Sequence, residues 1–236
     1  MKLKVIATGS SGNCYLLDDG KEILIIECGV PFAEVKEAID YQTSRIVGVL
    51  SSHEHMDHRK FINEYERAGI QTMKGNVFRD KYTVNYGTFA SKYAVYPFEV
   101  PHDVPCYGYY ISHPDMGKMV FVTDAMYIEY TFPEVNHIMV EANYAQDILD
   151  ENVASGEIPQ SLRNRIMKSH MSFNTAKGMV KANKSPHLRN VIMCHLSTRN
   201  SDKKRFQEEM QEVAGTYCNV AVAKKGLELE INKYPF

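Results

Sequence analysis

Five apolar runs in this chain each lead into a side chain that can hold a metal ion or carry a proton. Val47 to Leu50 leads through two serines to His53, Ala94 to Val100 through Pro101 to His102, and Met119 to Val122 through Thr123 to Asp124. His137 to Val140 leads to Glu141, and Val191 to Cys194 to His195. Short runs rich in β-branched and aromatic residues are strands. Laid side by side, such strands bring their ends to one edge, and loops at strand ends on a rigid scaffold are where catalytic groups gather. The chain therefore has to build sheets that collect these five ends.

The rest of the pattern fits that demand. Strands are expected at Lys2 to Ala7, Tyr15 to Leu17 and Glu22 to Ile26, with a Gly/Ser/Asn turn at Thr8 to Asn13. A helix follows Pro31, carrying Phe32, Val35, Ala38 and Ile39, and another carries Phe61, Ile62, Tyr65 and Ala68. Further strands are expected at Ile46 to Leu50, Lys92 to Val100, Tyr107 to Ile111, Met119 to Val122, Ile138 to Val140, Val191 to Met193, Val220 to Ala223 and Leu227 to Ile231. Helical spacing marks Ala145 to Ala154, Ser172 to Ala182 and Lys203 to Val213. Hairpin-length turns between the first strands favour mixed sheets over an all-parallel doubly wound fold. No linker or repeat divides the chain, so residues 1–236 read as one α+β or mixed α/β domain.

Composition narrows the function. The chain is 44% apolar and 24% charged, enough to bury a core, which excludes disordered and fibrous classes. With 27 Lys plus Arg against 29 Asp plus Glu, the net charge of −2 excludes a basic nucleic-acid-coating protein. Five widely spaced cysteines without a C-x-x-C pair read as reduced thiols. No apolar run approaches the roughly 20 residues that span a bilayer, and the N-terminus lacks a signal peptide. A cytoplasmic protein without a membrane partner is expected; oligomeric state is not legible.

Three of nine histidines fall within six residues, in His53-Glu54-His55-Met56-Asp57-His58. An extended backbone can direct His53 and His55 toward one ion, and Asp57 and His58 can address a second. Imidazole with carboxylate suits zinc, or manganese and iron. Chance rarely gathers four such groups in six residues; the alternative is a solvated, polar helix start. His102 and Asp124 taken alone read equally well as turn residues. His113, His137 and His187 belong to no motif and are assigned to loops. Tyr107, Tyr109, Tyr110, Tyr127, Tyr130 and Tyr144 are read as sheet and core residues before base-stacking ones.

Together these residues resemble the metallo-β-lactamase fold superfamily, in which a His-x-His-x-Asp-His loop, a distant His, a bridging Asp and a final His hold two metals. The resemblance implies a four-layer αββα sandwich. It assigns His53, His55 and His102 to one metal, Asp57, His58 and His195 to the other, and Asp124 to both. Thr8-Gly9-Ser10-Ser11-Gly12-Asn13, Val140-Glu141-Ala142-Asn143-Tyr144, Cys194-His195-Leu196-Ser197 and Ser169-His170-Met171-Ser172-Phe173-Asn174 are similar to segments of the YycJ/WalJ-like nuclease branch. Glu141 and His170 resemble a pair in tRNA-processing nucleases of the superfamily whose His protonates the leaving oxygen. Two departures stand out. Glu27-Cys28-Gly29 replaces the usual Asp-x-Gly, lengthening a supporting carboxylate by one methylene. The interval between Asp124 and His195 leaves no room for a large cap domain.

The implied cofactors are two divalent metal ions, zinc or manganese, with iron as a further option. The implied reaction is attack of a metal-bound hydroxide on the phosphorus of DNA, RNA or another phosphodiester. Asp57 would accept a proton, Glu141 would orient His170, and His170 would act as general acid. Ser10, Ser11, Asn13, Asn143, Ser197 and Asn200 would contact phosphate, with Arg199 and Lys203 adding charge. Two alternatives stay open: hydrolysis of a small thioester, lactone or cyclic nucleotide on the same site, and a non-hydrolytic redox or partner-binding protein.

Overall fold

The structure is a computed structural model that describes residues 1–74 and 91–234. Two six-stranded mixed sheets face each other. The first runs β12 (Glu228–Glu230), β1 (Lys2–Ala7), β2 (Cys14–Asp18), β3 (Ile23–Ile26), β4 (Ile46–Ser51), β5 (Thr72–Lys74). The second runs β11 (Asn219–Val222), β10 (Asn190–Cys194), β9 (His137–Glu141), β8 (Gly117–Val122), β7 (Cys106–His113), β6 (Ala94–Val100). In each sheet an antiparallel meander passes into parallel strands, β3 with β4 and β5, and β8 with β9, β10 and β11.

The layers follow from the period of two along each strand. Leu24 and Ile26 of β3 join Tyr109, Phe121, Met139 and Ile192 in the interior between the sheets. Ile23 and Ile25 point the other way, onto α1 (Phe32–Ala38) and α3 (Ile62–Arg67), through Phe32, Val35, Ile62 and Tyr65. In the second sheet Met139 and Ile192 face inward, while Ile138, Val140, Val191 and Met193 face α6 (Phe173–Ala182) and α7 (Lys203–Ala214). Strands apolar on both faces are what a sheet covered by helices on one side and a second sheet on the other requires. This is the expected αββα sandwich. No helix among the described residues is long and apolar enough to cross a membrane.

The differences from the sequence reading are local. α2 (Met56–Arg59) is a single turn that takes up Asp57 and His58, so extended backbone ends at His55, with φ −65° and ψ 150°. α5 (Gln160–Ser169) was not expected. Its apolar positions are few, and it is held by Ile158 and Ile166 packing with Leu149 of α4 (Gln146–Ala154). His113 and His137 are not loop residues. Both are buried in strands, where Asn190 donates to His137 Nδ1 at 2.9 Å and His137 Nε2–H donates to the Met116 carbonyl at 3.0 Å. With both nitrogens satisfied and burial penalising charge, His137 is pushed down to about 4 and behaves as a core residue. His187 is exposed in a turn, as expected.

Phe173 and Phe206 stack with ring centroids 3.9 Å apart and planes 3° from parallel, joining α6 to α7. Phe206→Ala is predicted to cost about 3–5 kcal/mol in urea unfolding, the range for deleting a buried aromatic. A loss below about 1 kcal/mol would contradict this packing.

Candidate metal centre

The five strand ends named above meet at one edge. Three of the residues that end strands there are held in the left-handed backbone region: Glu27 after β3 at φ 67°, Asp124 after β8 at φ 50°, and His195 after β10 at φ 52°. Each such non-glycine residue costs about 1–3 kcal/mol, and such strain clusters at functional sites. Here it turns each side chain sharply at the strand end. His195 is fixed further by its backbone N–H, which donates to Thr8 Oγ1 at 3.1 Å.

Asp124, 2% exposed, is the hub. Its Oδ2 lies 3.4 Å from His53 Nε2 and 3.0 Å from His58 Nε2. Its Oδ1 lies 2.9 Å from His195 Nδ1 and 3.5 Å from His170 Nδ1. On one side His53, His55, His102 and Asp124 each bring a donor atom within 4.8 Å of the others. On the other side Asp57, His58, Asp124 and His195 do the same. These two groups have the membership the sequence resemblance implied, with Asp124 common to both.

Three features show that the donors fit divalent ions. First, His53 Nε2 and His58 Nδ1 are buried without a hydrogen-bond partner, and an orphan buried nitrogen is costly unless something else satisfies it. Second, His55 Nδ1 and His102 Nε2 stand 3.3 Å apart, and His58 Nε2 and His195 Nε2 each stand 3.2 Å from Asp57 Oδ2. Ligands about 2.1 Å from a tetrahedral ion are separated by about 3.4 Å. Third, the outer nitrogens are anchored. His102 Nδ1–H donates to the Ser169 carbonyl at 2.8 Å, leaving the Nε2 lone pair toward His55. His53 Nδ1 pairs with Ser52 Oγ at 2.9 Å. Such outer bonds fix which ring nitrogen is offered to a metal.

The two halves differ in charge. Burial and the neighbouring His53 hold His102 down at about 4, and the same causes lower His55, so these two offer neutral imidazoles. In the other half burial alone would lower His58 and His195, but Asp124 outweighs it, aided by Glu27 at His58 and by Asp57 and Glu141 at His195. Both stand well above the ordinary imidazole value. Glu27, despite its extra methylene, accepts from the Ser52 N–H at 3.2 Å and brings Oε1 to 3.4 Å from His58 Nδ1, without hydrogen-bond geometry.

Beside the centre His170 Nδ1–H donates to Glu141 Oε1 at 2.7 Å. The second oxygen of Glu141 accepts the Met171 N–H at 3.0 Å, and Oε1 also lies 2.9 Å from His195 Nδ1. Burial pulls His170 down, but Glu141 and Asp124 override it and raise it to about 10. A cavity of about 700 Å³ opens over these groups. Ser10, Asn143, Ser197 and Asn200 line it, together with His55, Asp57, His102, Asp124, His170 and His195. Ser11 and Asn13 do not line it, and the burial of Asn13 takes it out of reach of a phosphate. Ser11 faces solvent, and Asn13, fully buried, donates from Nδ2 to Asp57 and lies 3.2 Å from His58 Nε2. Asn143 donates to the His195 carbonyl at 2.9 Å, and Asn200 Oδ1 accepts from Asn152.

Sequence reasoning missed the far wall of the cavity, where α5 supplies Leu162, Arg165 and Ile166 beside Ile158. The basic run Arg163 to Lys168 just before His170 was the available signal.

A family model described as the metallo-beta-lactamase superfamily matches residues 7–69. The crystal structure of the metallo-beta-lactamase fold protein YhfI from Bacillus subtilis superposes with a TM-score of 0.69 at 18% identity, covering 97% of this chain and 98% of that one. The chain has the metallo-β-lactamase fold. It is also 24% identical to a Bacillus anthracis protein named exodeoxyribonuclease YycJ, over 90% of this chain and 89% of that protein. Human tRNase Z, short form, superposes with a TM-score of 0.57 at 13% identity, covering 98% and 99% of the two chains. The family match and the donor clusters support a metal-dependent hydrolase.

The His-rich segment is seated on Gly29. A Cβ there would meet the Asp57 carbonyl oxygen at 1.9 Å and the Asn13 nitrogen at 2.7 Å. Gly29→Ala is therefore predicted to lower the zinc content of the purified, folded protein, measured by mass spectrometry. Gly178→Ala, with nothing within 4 Å of its added Cβ, is the control. Full metal content in Gly29→Ala would contradict the seating.

Proposed function

We propose that the chain is a phosphodiesterase of the nuclease type with a dinuclear centre. The observation that carries this is the Glu141–His170 pair, 2.7 Å apart beside Asp124, with His170 lining a cavity that Arg165 and Arg199 also line. His53, His55 and His102 would hold one ion and Asp57, His58 and His195 the other, with Asp124 shared. Bound there, two divalent ions supply Lewis acidity toward a phosphoryl oxygen and a nucleophile at neutral pH.

The chain's own residues do the rest. Glu141 accepts a fixed hydrogen bond from His170 Nδ1–H and, with Asp124, favours the imidazolium, so that Nε2 carries the proton to be given up. His170 then protonates the leaving oxygen, and Asp57 receives the nucleophile's proton. Arg165 and Arg199 line the cavity, and neither has a carboxylate within ion-pair distance among the described residues. Their guanidinium groups suit the oxygens of a phosphate strand. Ser10, Asn143, Ser197 and Asn200 border the same space. Ile158, Leu162, Ile166 and Leu196 give it an apolar side against which a base can lie. The names of the YycJ and tRNase Z relatives support a nucleic-acid substrate. Both sheets contribute to one interior cluster, which supports reading residues 1–236 as one catalytic domain.

The apolar side would also receive a small ester or thioester, so the test is a panel. Labelled single- and double-stranded DNA, RNA, a lactone and a thioester are incubated with protein loaded with zinc or manganese. Cleavage of a nucleic acid is expected; turnover of the lactone or thioester alone would overturn the proposal. His170→Ala is expected to slow cleavage about 10²–10⁴-fold with metal content unchanged. Loss of metal instead would make His170 a ligand and void its role as acid.

A further inference from the structure

A second cavity, of about 590 Å³, lies at the opposite end of the sandwich. Its walls come from where the parallel strands begin. Gly117 opens β8, and Asn136 and Arg189 immediately precede β9 and β10, whose far ends carry Glu141 and His195. At about 3.3 Å per residue, the strands separate it from the metal centre by roughly 20 Å.

Lys92, Lys118, Arg189 and Lys233 line this cavity against one carboxylate, Glu134. In a chain of net charge −2 that is a local reversal of sign. Two of the four cations are matched: Lys118 Nζ lies 3.1 Å from Glu134 Oε2, and Lys92 Nζ lies 3.4 Å from Asp19 Oδ2. Among the described residues the other two are not. Arg189 Nε is buried with no hydrogen-bond partner, and among the described residues no carboxylate comes within ion-pair distance of Arg189. Lys233 Nζ rests 5.1 Å over the ring of Tyr234, which also lines the cavity. Elsewhere Arg59, Arg163 and Arg205 are paired with Glu54, Asp150 and Asp147. An unmatched guanidinium with a buried N–H is stabilised by an anion that supplies the missing acceptor.

A cation is the competing occupant, because Asp19, His113 and Asp115 bring donor atoms within 4.8 Å of one another. One of them, His113 Nε2, is itself buried without a hydrogen-bond partner, but Asp19 is committed elsewhere and the His113 ring points a proton, not a lone pair, toward it. Asp19 Oδ1 accepts the N–H groups of Lys21 and Glu22 at 2.7 and 2.5 Å, and Lys92 faces Oδ2. The Asp115 N–H donates to His113 Nδ1 at 3.2 Å, which places the neutral ring's proton on Nε2, the nitrogen nearer Asp19. A metal would have to displace that proton and Lys92 together.

We propose that this cavity is a phosphate-ester site, binding the phosphoryl group of a nucleotide through Arg189 and Lys233 with the Tyr234 ring beside the base. The same phosphoryl chemistry is offered by a free nucleotide and by the end of a nucleic-acid strand. The site stands apart from the hydrolytic reading and survives its failure.

The test is calorimetric titration of the full chain with ADP, with inorganic pyrophosphate and with a 5′-phosphorylated thymidine ten-mer. It is repeated on His55→Ala, which weakens phosphate binding at the metal centre, and on Arg189→Gln and Lys233→Gln. Saturable binding that persists in His55→Ala and weakens about tenfold or more in Arg189→Gln supports the site. Lys233→Gln, at a partly exposed position, should weaken it by a smaller factor and serves if Arg189→Gln fails to fold. A stronger response to ADP than to the ten-mer identifies the free nucleotide as the source, and the reverse order identifies a strand end. No saturable binding in His55→Ala, or binding that both cavity substitutions leave unchanged, would overturn the proposal.

Discussion

The structure turns on one buried carboxylate that several imidazoles approach at once. Asp124 has His53 and His58 on one oxygen and His195 and His170 on the other, at 2.9–3.5 Å. Protons alone satisfy such a cluster poorly, since two buried ring nitrogens, on His53 and His58, remain without hydrogen bonds. Glu27, Asp57, Asp124 and Glu141 bring four buried or half-buried carboxylates to the site. Two divalent cations would take the place of protons on the ligating imidazoles, inverting the field by which the carboxylates raise His58 and His195.

The fold exists to hold that arrangement still. Apolar residues on both faces of the central strands lock each sheet between a helical layer and the other sheet, so the strand ends have little freedom. Left-handed backbone at Glu27, Asp124 and His195 then redirects three side chains at the edge. Within the first sheet the Asn13 N–H to the Asp57 carbonyl at 2.7 Å and the Cys28 N–H to the His58 carbonyl at 2.8 Å brace the His-rich turn, and the Tyr107 N–H to the Ser52 carbonyl at 3.1 Å ties the second sheet to it. The stored strain is tolerable because so many contacts oppose its release.

The site was more legible in the sequence than the surface around it. Metal-binding side chains at the ends of apolar runs identify themselves, because the run sets the strand and the strand sets the edge. The pairing of Glu141 with His170 was readable through resemblance. Asn13 was misread because a polar residue in a Gly/Ser turn resembles a ligand contact, whereas burial makes it a brace for Asp57 and His58. His113 and His137 were misread because a histidine at the end of a strand gives no sign of burial until its partners, distant in sequence, are known. α5 escaped because its stability comes from packing on α4 and hardly from its own pattern. It nevertheless forms the wall that gives the cavity its apolar side and Arg165.

One fold supports many chemistries, so the substrate rests on the cavity and the centre on its donors. The most direct test of that centre is the anomalous scattering of crystals grown with zinc. Two peaks a few ångströms apart are predicted, one among His53, His55 and His102, the other among Asp57, His58 and His195, with Asp124 between them. A single peak away from Asp124, or none, would contradict the account.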